Sequence, residues 1–178
     1  MKAVMISVSP KMCEKVASGD CTILVRKTRP KIDIPFKCYI YCPYGNMKDN
    51  YCLSKRGKVI GEFVCDGIYG IFDFLPYDAD DIHHSILPYV LEQTCLQDYE
   101  IDEYLGAKDG YGWHISDLVI YDKPRAVGEF YRECKGICVD TAKKILCLKT
   151  KTLKSFGCDR KLQLTKPPQS WQYVEEKE

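Results

Sequence analysis

Lysine and arginine are missing from one long stretch: residues 59–107 hold none, against 11 Asp and Glu. No apolar run in the chain approaches the length of a membrane span, which excludes a membrane-crossing helix. Ala3–Val8 is too short for the apolar core of a signal peptide, and Ser9-Pro10 ends it. The expectation is therefore a soluble, intracellular protein, cytoplasmic and without a membrane partner. Internal repeats and low-complexity tracts are also absent, so no solenoid is expected. Histidine is scarce. Only His83, His84 and His114 are available as imidazole bases, and nothing in their spacing brings one to a reactive thiol.

What is present is one domain's worth of chain, or one domain with an excursion. At 178 residues, with 46% apolar residues, it can bury a core without staples. The net charge of +1 conceals segregation. Residues 1–58 carry 12 Lys and Arg against 4 acids, and residues 108–178 carry 14 against 10. A basic first third beside an acidic middle implies a positive face for a polyanion and a separate acidic face. Mutual neutralisation across the fold is the alternative. Eleven cysteines are many, and the number is odd. Without an export signal, most read as small buried hydrophobes, Cys38, Cys65 and Cys147 among them.

Taken in order, Ala3–Val8 fits a strand buried on both faces. Ser9 caps a short helix with Pro10 at its first position, and Gly19 ends it left-handed. Thr22–Arg26 alternates as a strand, Ile23 and Val25 on one face, Thr22, Leu24 and Arg26 on the other. Arg26, Lys27, Arg29 and Lys31 then enter a loop held open by Pro30 and Pro35. Strands are predicted over Phe36–Tyr41 and Lys58–Val64, with Gly61 marking a bulge or a close approach. Asp78–Cys95 reads as helical, interrupted near Pro88, and Asp98–Leu105 as a second helix. A long strand is expected over Trp113–Tyr121, and a last one from Trp171 closes the sheet. The whole is an α+β chain, a small mixed β-barrel with a short N-terminal helix. It is read as a single unit over 1–178, with a helical acidic insertion at about 71–105. A Cys- and Lys-rich excursion occupies about 126–166.

Gly19-x-x-Thr22-Ile23-x-x-Arg26-Lys27, after a strand and a short helix, resembles the opening of ASCH domains, which are PUA-like. Gly57-Lys58-Val59-Ile60-Gly61-Glu62-Phe63, Tyr111-Gly112-Trp113-His114-Ile115 and Pro167-Pro168-Gln169-Ser170-Trp171 look similar to ASCH-like proteins of gut Firmicutes and their phages. The resemblance implies a PUA-like barrel that binds or processes RNA. Some members hydrolyse acetylated cytidine, and others are assigned ribonuclease activity. The family motif is Gly-x-Lys-x-x-Glu-x-Arg. Here Gly19 and Arg26 match, while Cys21 stands for the lysine and Leu24 for the glutamate. Those two departures turn the expectation from a hydrolase toward a binding module.

The site expected from the residues is a basic cleft for RNA or a nucleotide-like ligand. Gly19, Thr22, Arg26, Lys27, Arg29 and Lys31 form one side, and Tyr111, Trp113 and His114 the other. Cations neutralise phosphates, and flat rings stack on unpaired bases. Tyr39, Tyr41 and Tyr44 are further stacking candidates, with half-buried core tyrosines as the plain reading. Cys21, Glu62 and His114 are the candidates for catalysis. Cys21 would need a thiolate, Glu62 would act as a base or pair with Arg26, and His114 would move protons or make a structural hydrogen bond. Cys134, Cys138, Cys147 and Cys158 are a loosely spaced candidate for a four-thiolate zinc site; Cys38 and Cys42 are a weaker pair. No cofactor is otherwise implied. Two alternatives stand beside RNA binding: a hydrolase on a modified nucleoside or RNA, and a phage-type protein adaptor using the acidic segment.

Overall fold

Ala3 to Ile6 is apolar without a break because both of its faces are covered. In the computed structural model, which describes residues 2–45, 53–74, 83–106, 108–133, 138–141, 144–147, 152–155 and 161–176, Lys2–Ser7 is the first strand, β1. Val4 and Ile6 join one buried cluster with Cys38, Ile40, Phe63 and Trp113. Ala3 and Met5 join another, on the opposite face, with Tyr39, Tyr41 and Phe130. Helix α1 (Pro10–Ser18) follows as expected. The Ser9 hydroxyl accepts the Met12 N–H, and Gly19 takes φ 83° to end the helix. Then come β2 (Ile23–Arg26), β3 (Phe36–Cys42), β4 (Lys58–Cys65) and β5 (Ile68–Phe74).

The acidic middle departs from its helical expectation. His83–Ser85 is a strand, β6, paired antiparallel with the end of β5. Helix begins only at Pro88, with α2 (Pro88–Thr94), so the interruption anticipated at that proline is a helix start. Residues 78–82 of the predicted helix lie outside the described residues. Helix α3 (Asp98–Leu105) holds as predicted. Glu100 reaches back to the Gln97 backbone N–H at 2.9 Å, the reciprocal bond of a capping box.

The strand foreseen from Trp113 is two strands. β7 (Gly110–His114) and β8 (Ser116–Arg125) turn a corner at Ile115 and belong to different sheets. β9 (Tyr131–Glu133), β10 (Cys138–Thr141), β11 (Lys144–Cys147), β12 (Thr152–Ser155) and β13 (Lys161–Gln163) occupy the Cys- and Lys-rich stretch, and β14 (Trp171–Glu175) ends the series. The main sheet runs β14-β1-β3-β4-β8, and the second β2-β7-β5-β6. The expected small barrel is not what these pairings make: among the described residues the sheets are open. The corners at Asp66-Gly67 and Ile115 carry the chain from one sheet to the other without closing a ring. Gly61 is the close approach anticipated, since a Cβ there would collide with the Val119 carbonyl oxygen, and the β4–β8 register slips beside it. No helix among the described residues is long and apolar enough to cross a membrane.

Candidate functional site

Arg26 closes β2 on the same side as Leu24, and Leu24 belongs to the main core. The arginine is therefore directed inward, toward β1 and α1, and does not enter the solvent loop. Its Nη1 donates to the Val25 carbonyl and its Nη2 to the Ser7 carbonyl, each at 2.7 Å. Its Nε–H is fully enclosed and has no partner. Burial disfavours the charged form and lowers the guanidinium's pKa. The side chain stands in a cleft of about 670 Å³ whose lining also includes Ser7, Met12, Leu24, Tyr104 and Gln169. Ser7 fixes the far wall: its N–H donates to the Ser170 carbonyl at 2.8 Å and its hydroxyl to the Pro168 carbonyl at 2.6 Å. Glu100 and Glu103 of α3 form an acidic part of the lining.

The other cations of the run stay outside. Lys27 lies 5.1 Å over the Tyr104 ring and Arg29 5.7 Å over Tyr111. Both cations are exposed, as is Lys31. Two hydrogen bonds seam this loop to the last strand. Trp171 Nε1 donates to the Thr28 hydroxyl at 2.9 Å, and the Lys31 N–H donates to the Tyr173 hydroxyl at 2.7 Å. Tyr111 sits opposite Arg26 in the β2–β7 ladder, but Tyr111, Trp113 and His114 do not line the cleft.

No protein-family model matches the chain, and no curated protein does. Among solved structures it is similar to an ASCH protein of Zymomonas mobilis, at 14% identity over 98% of this chain and 88% of that one, with a TM-score of 0.49. A serine-to-alanine variant of that protein aligns over 98% and 89%, again at 14% identity, with a TM-score of 0.50. The fold is ASCH-like. At this identity the likeness concerns the fold, and chemistry must be read from this chain's own residues.

Within the ASCH-like frame several expected site residues turn out to be structural. Trp113 is fully buried, edge-on to Phe36 with ring centres 5.8 Å apart, and offers no face to a base. Tyr39 and Tyr41 are core, whereas Tyr44 is exposed. Gly19 is the left-handed stop of α1. Thr22 ties β2 to α2: its N–H donates to the Gln93 carbonyl at 3.0 Å, and its hydroxyl to the Gln93 side-chain oxygen at 2.9 Å. Cys21 is buried among backbone carbonyls, and burial pushes its thiol up to about 11, the reverse of what a nucleophile needs. Glu62 does not pair with Arg26. It accepts from Lys37 at 3.1 Å and from the Tyr121 hydroxyl, on the other sheet. His114 lies 2.6 Å from Asp66 through Nδ1, and that bond holds the Asp66 carboxyl below its usual range. It spans the corner between the sheets, away from the cleft lining.

Cys134 and Cys158 of the proposed zinc set lie outside the described residues. Cys138 and Cys147 stand opposite each other in the β10–β11 ladder. Among the described residues no group of His, Cys, Asp and Glu is arranged to hold a metal ion. Sequence reading missed Ser7, Tyr104, Gln169 and Tyr173. Only Gln169, inside the Pro167–Trp171 segment, carried a signal.

Proposed function

We propose that this chain is a PUA-like RNA-binding module that takes single-stranded or modified RNA, with one base in the cleft and phosphates on the basic loop. Arg26 carries the reading. An arginine fixed by two backbone carbonyls and lining a cleft of nucleoside-sized volume is preorganised to meet a ligand acceptor with the Nη hydrogens those bonds leave over. Lys27, Arg29 and Lys31 stand beside it as exposed cations, and Tyr104 and Tyr111 are the rings beneath two of them. An acidic lining disfavours a phosphate inside the cleft and favours one outside it, where the cations are. Cys21 and Leu24, both buried, provide neither the lysine nor the glutamate of the hydrolase motif, so binding without turnover is the reading.

The test is an anisotropy titration with labelled single-stranded RNA and matched DNA at two salt concentrations. RNA should bind more tightly than DNA, and binding should weaken with salt. The Lys27→Gln/Arg29→Gln/Lys31→Gln variant should lower the slope of log K against log salt by about 2, at roughly 0.7 per phosphate contact. An unchanged slope removes the loop from the interface. Turnover of acetylated cytidine, or cleavage of the RNA, would overturn binding without catalysis, and binding of neither polymer would move the function to a protein partner of the acidic segment.

A further inference from the structure

A second recess, of about 620 Å³, lies along the last strand. Lys2, Lys31, Arg132, Trp171 and Tyr173 line it, with Glu133 and Glu175 as the opposing charges. Gln172 lines it too, and its side-chain Nε2 is enclosed without a partner. The rings of Trp171 and Tyr173 meet nearly edge to face, centres 5.4 Å apart. Both are half-buried, so part of each ring remains open. Three cations and two part-open rings make the combination that single-stranded nucleic acid requires: charge for the backbone and π-faces for the bases.

This groove is joined to the cleft. Residues 26–31 run along one side of both: Arg26 lines the cleft and Lys31 the groove. Residues 169–175 run along the other: Gln169 and Ser170 line the cleft, Trp171 to Glu175 the groove. The two segments are pinned together midway by the Trp171–Thr28 and Tyr173–Lys31 hydrogen bonds. Five residues span at most about 17 Å, so the two recesses are within reach of one short strand.

We propose that the groove over Trp171 and Tyr173 is a second subsite for the same RNA strand, which leaves the cleft, crosses the Thr28–Trp171 seam and places a further base on Trp171 with its phosphates on Lys2, Lys31 and Arg132. This rests on the RNA-binding reading of the cleft and extends it from one nucleotide to several. It also gives the basic loop a second role, as a bridge between subsites.

The chain has two tryptophans, and the ring of buried Trp113 lies 5.8 Å from that of Trp171, so a base stacked on Trp171 quenches the emission of the pair. The probes are a single-stranded RNA of about eight nucleotides and the nucleoside monophosphates. The longer RNA should bind at least about tenfold more tightly, about 1.4 kcal/mol, and should quench emission; Trp171→Phe should abolish that quenching. The Lys2→Gln/Arg132→Gln variant should lower the salt slope for the longer RNA by about 1.4 and leave monophosphate binding unchanged. Both of those side chains are exposed, so the variant's melting point should scarcely move. If the wild type binds no RNA, the cleft reading and the groove fall together. If it binds RNA through Lys27 and Arg29, but the Lys2/Arg132 variant keeps its slope and tryptophan emission is unaffected, the groove alone is overturned.

Discussion

Arg26 and Lys27 are adjacent in sequence and opposite in environment. The same division appears on the partner strand, where Trp113 is buried and Tyr111 is only half so. Leu24 and Trp113 face each other in the ladder, as do Arg26 and Tyr111. Along this shared face, burial declines from the core pair to the Arg26–Tyr111 pair, and at Lys27 the strand is over. The comparison teaches that a run of like residues does not share a fate. The inward half of this pair of strand ends stabilises the fold and shapes a recess. The outward half decorates its rim, where charge is cheap to hold and open to a ligand.

The largest effect that bears on this division is at Trp113. Trp113→Ala removes the most voluminous fully buried side chain and should cost about 4 kcal/mol in urea unfolding. Tyr111→Ala should cost about 1 kcal/mol or less, because only part of the ring is buried, while weakening RNA binding through the lost stacking surface. Equal costs at the two positions would erase the boundary between core and rim.

At Arg26 the comparison can be made sharper. Arg26→Ala loses two charge-assisted hydrogen bonds and should cost about 3 kcal/mol. Arg26→Met loses the same two bonds but keeps most of the volume and removes an unpartnered N–H, so it should cost about 1 kcal/mol less than Arg26→Ala. The methionine variant should nevertheless lose RNA affinity. Lys27→Gln/Arg29→Gln should lie within about 0.5 kcal/mol of the wild type in stability and act only on binding and its salt dependence. If Arg26→Met is far less stable yet binds normally, the guanidinium serves the fold and not the ligand.

The ends of α1, the double burial of β1 and the close approach at Gly61 are legible, because Ser9-Pro10, Gly19 and the unbroken apolar run each have one local cause. The corner at Ile115 is not: residues 113–121 alternate without interruption, and only pairing with two different sheets breaks them. His83–Ser85 was misread because its strand character comes from pairing with β5, a tertiary contact that outweighs local preference. In the candidate site, alternation puts Arg26 on Leu24's face, but sequence proximity alone groups all four cations into one loop. The walls at Ser7 and Gln169 arrive from the two ends of the chain, and no short-range pattern joins them. The Tyr121–Glu62–Lys37 network is equally long-range, and nothing local in the sequence points Glu62 to Lys37 rather than to Arg26.

The smallest effect tests whether the inward side stays dry. Burial raises Cys21 from 9.0 to about 11 and Cys65 from 9.0 to about 12. A thiol whose folded pKa is raised leaves stability intact below its unfolded value. Between the two values the unfolded chain ionises first, so stability falls as pH rises. For Cys21 the loss at pH 10 should be about 1.4 kcal/mol, set by one unit of ionisation in the unfolded chain alone. Urea midpoints should therefore be flat to about pH 8 and decline above pH 9, and Cys21→Ala should make the decline shallower. Iodoacetamide at pH 8 should reach the half-buried Cys95 well before Cys21, which is 1% exposed. Rapid alkylation of Cys21 in the folded protein would mean that water and small reagents reach the position where the ASCH motif carries its lysine. Cys21 would then be a reachable thiol, and the nucleophile set aside on grounds of burial would have to be restored.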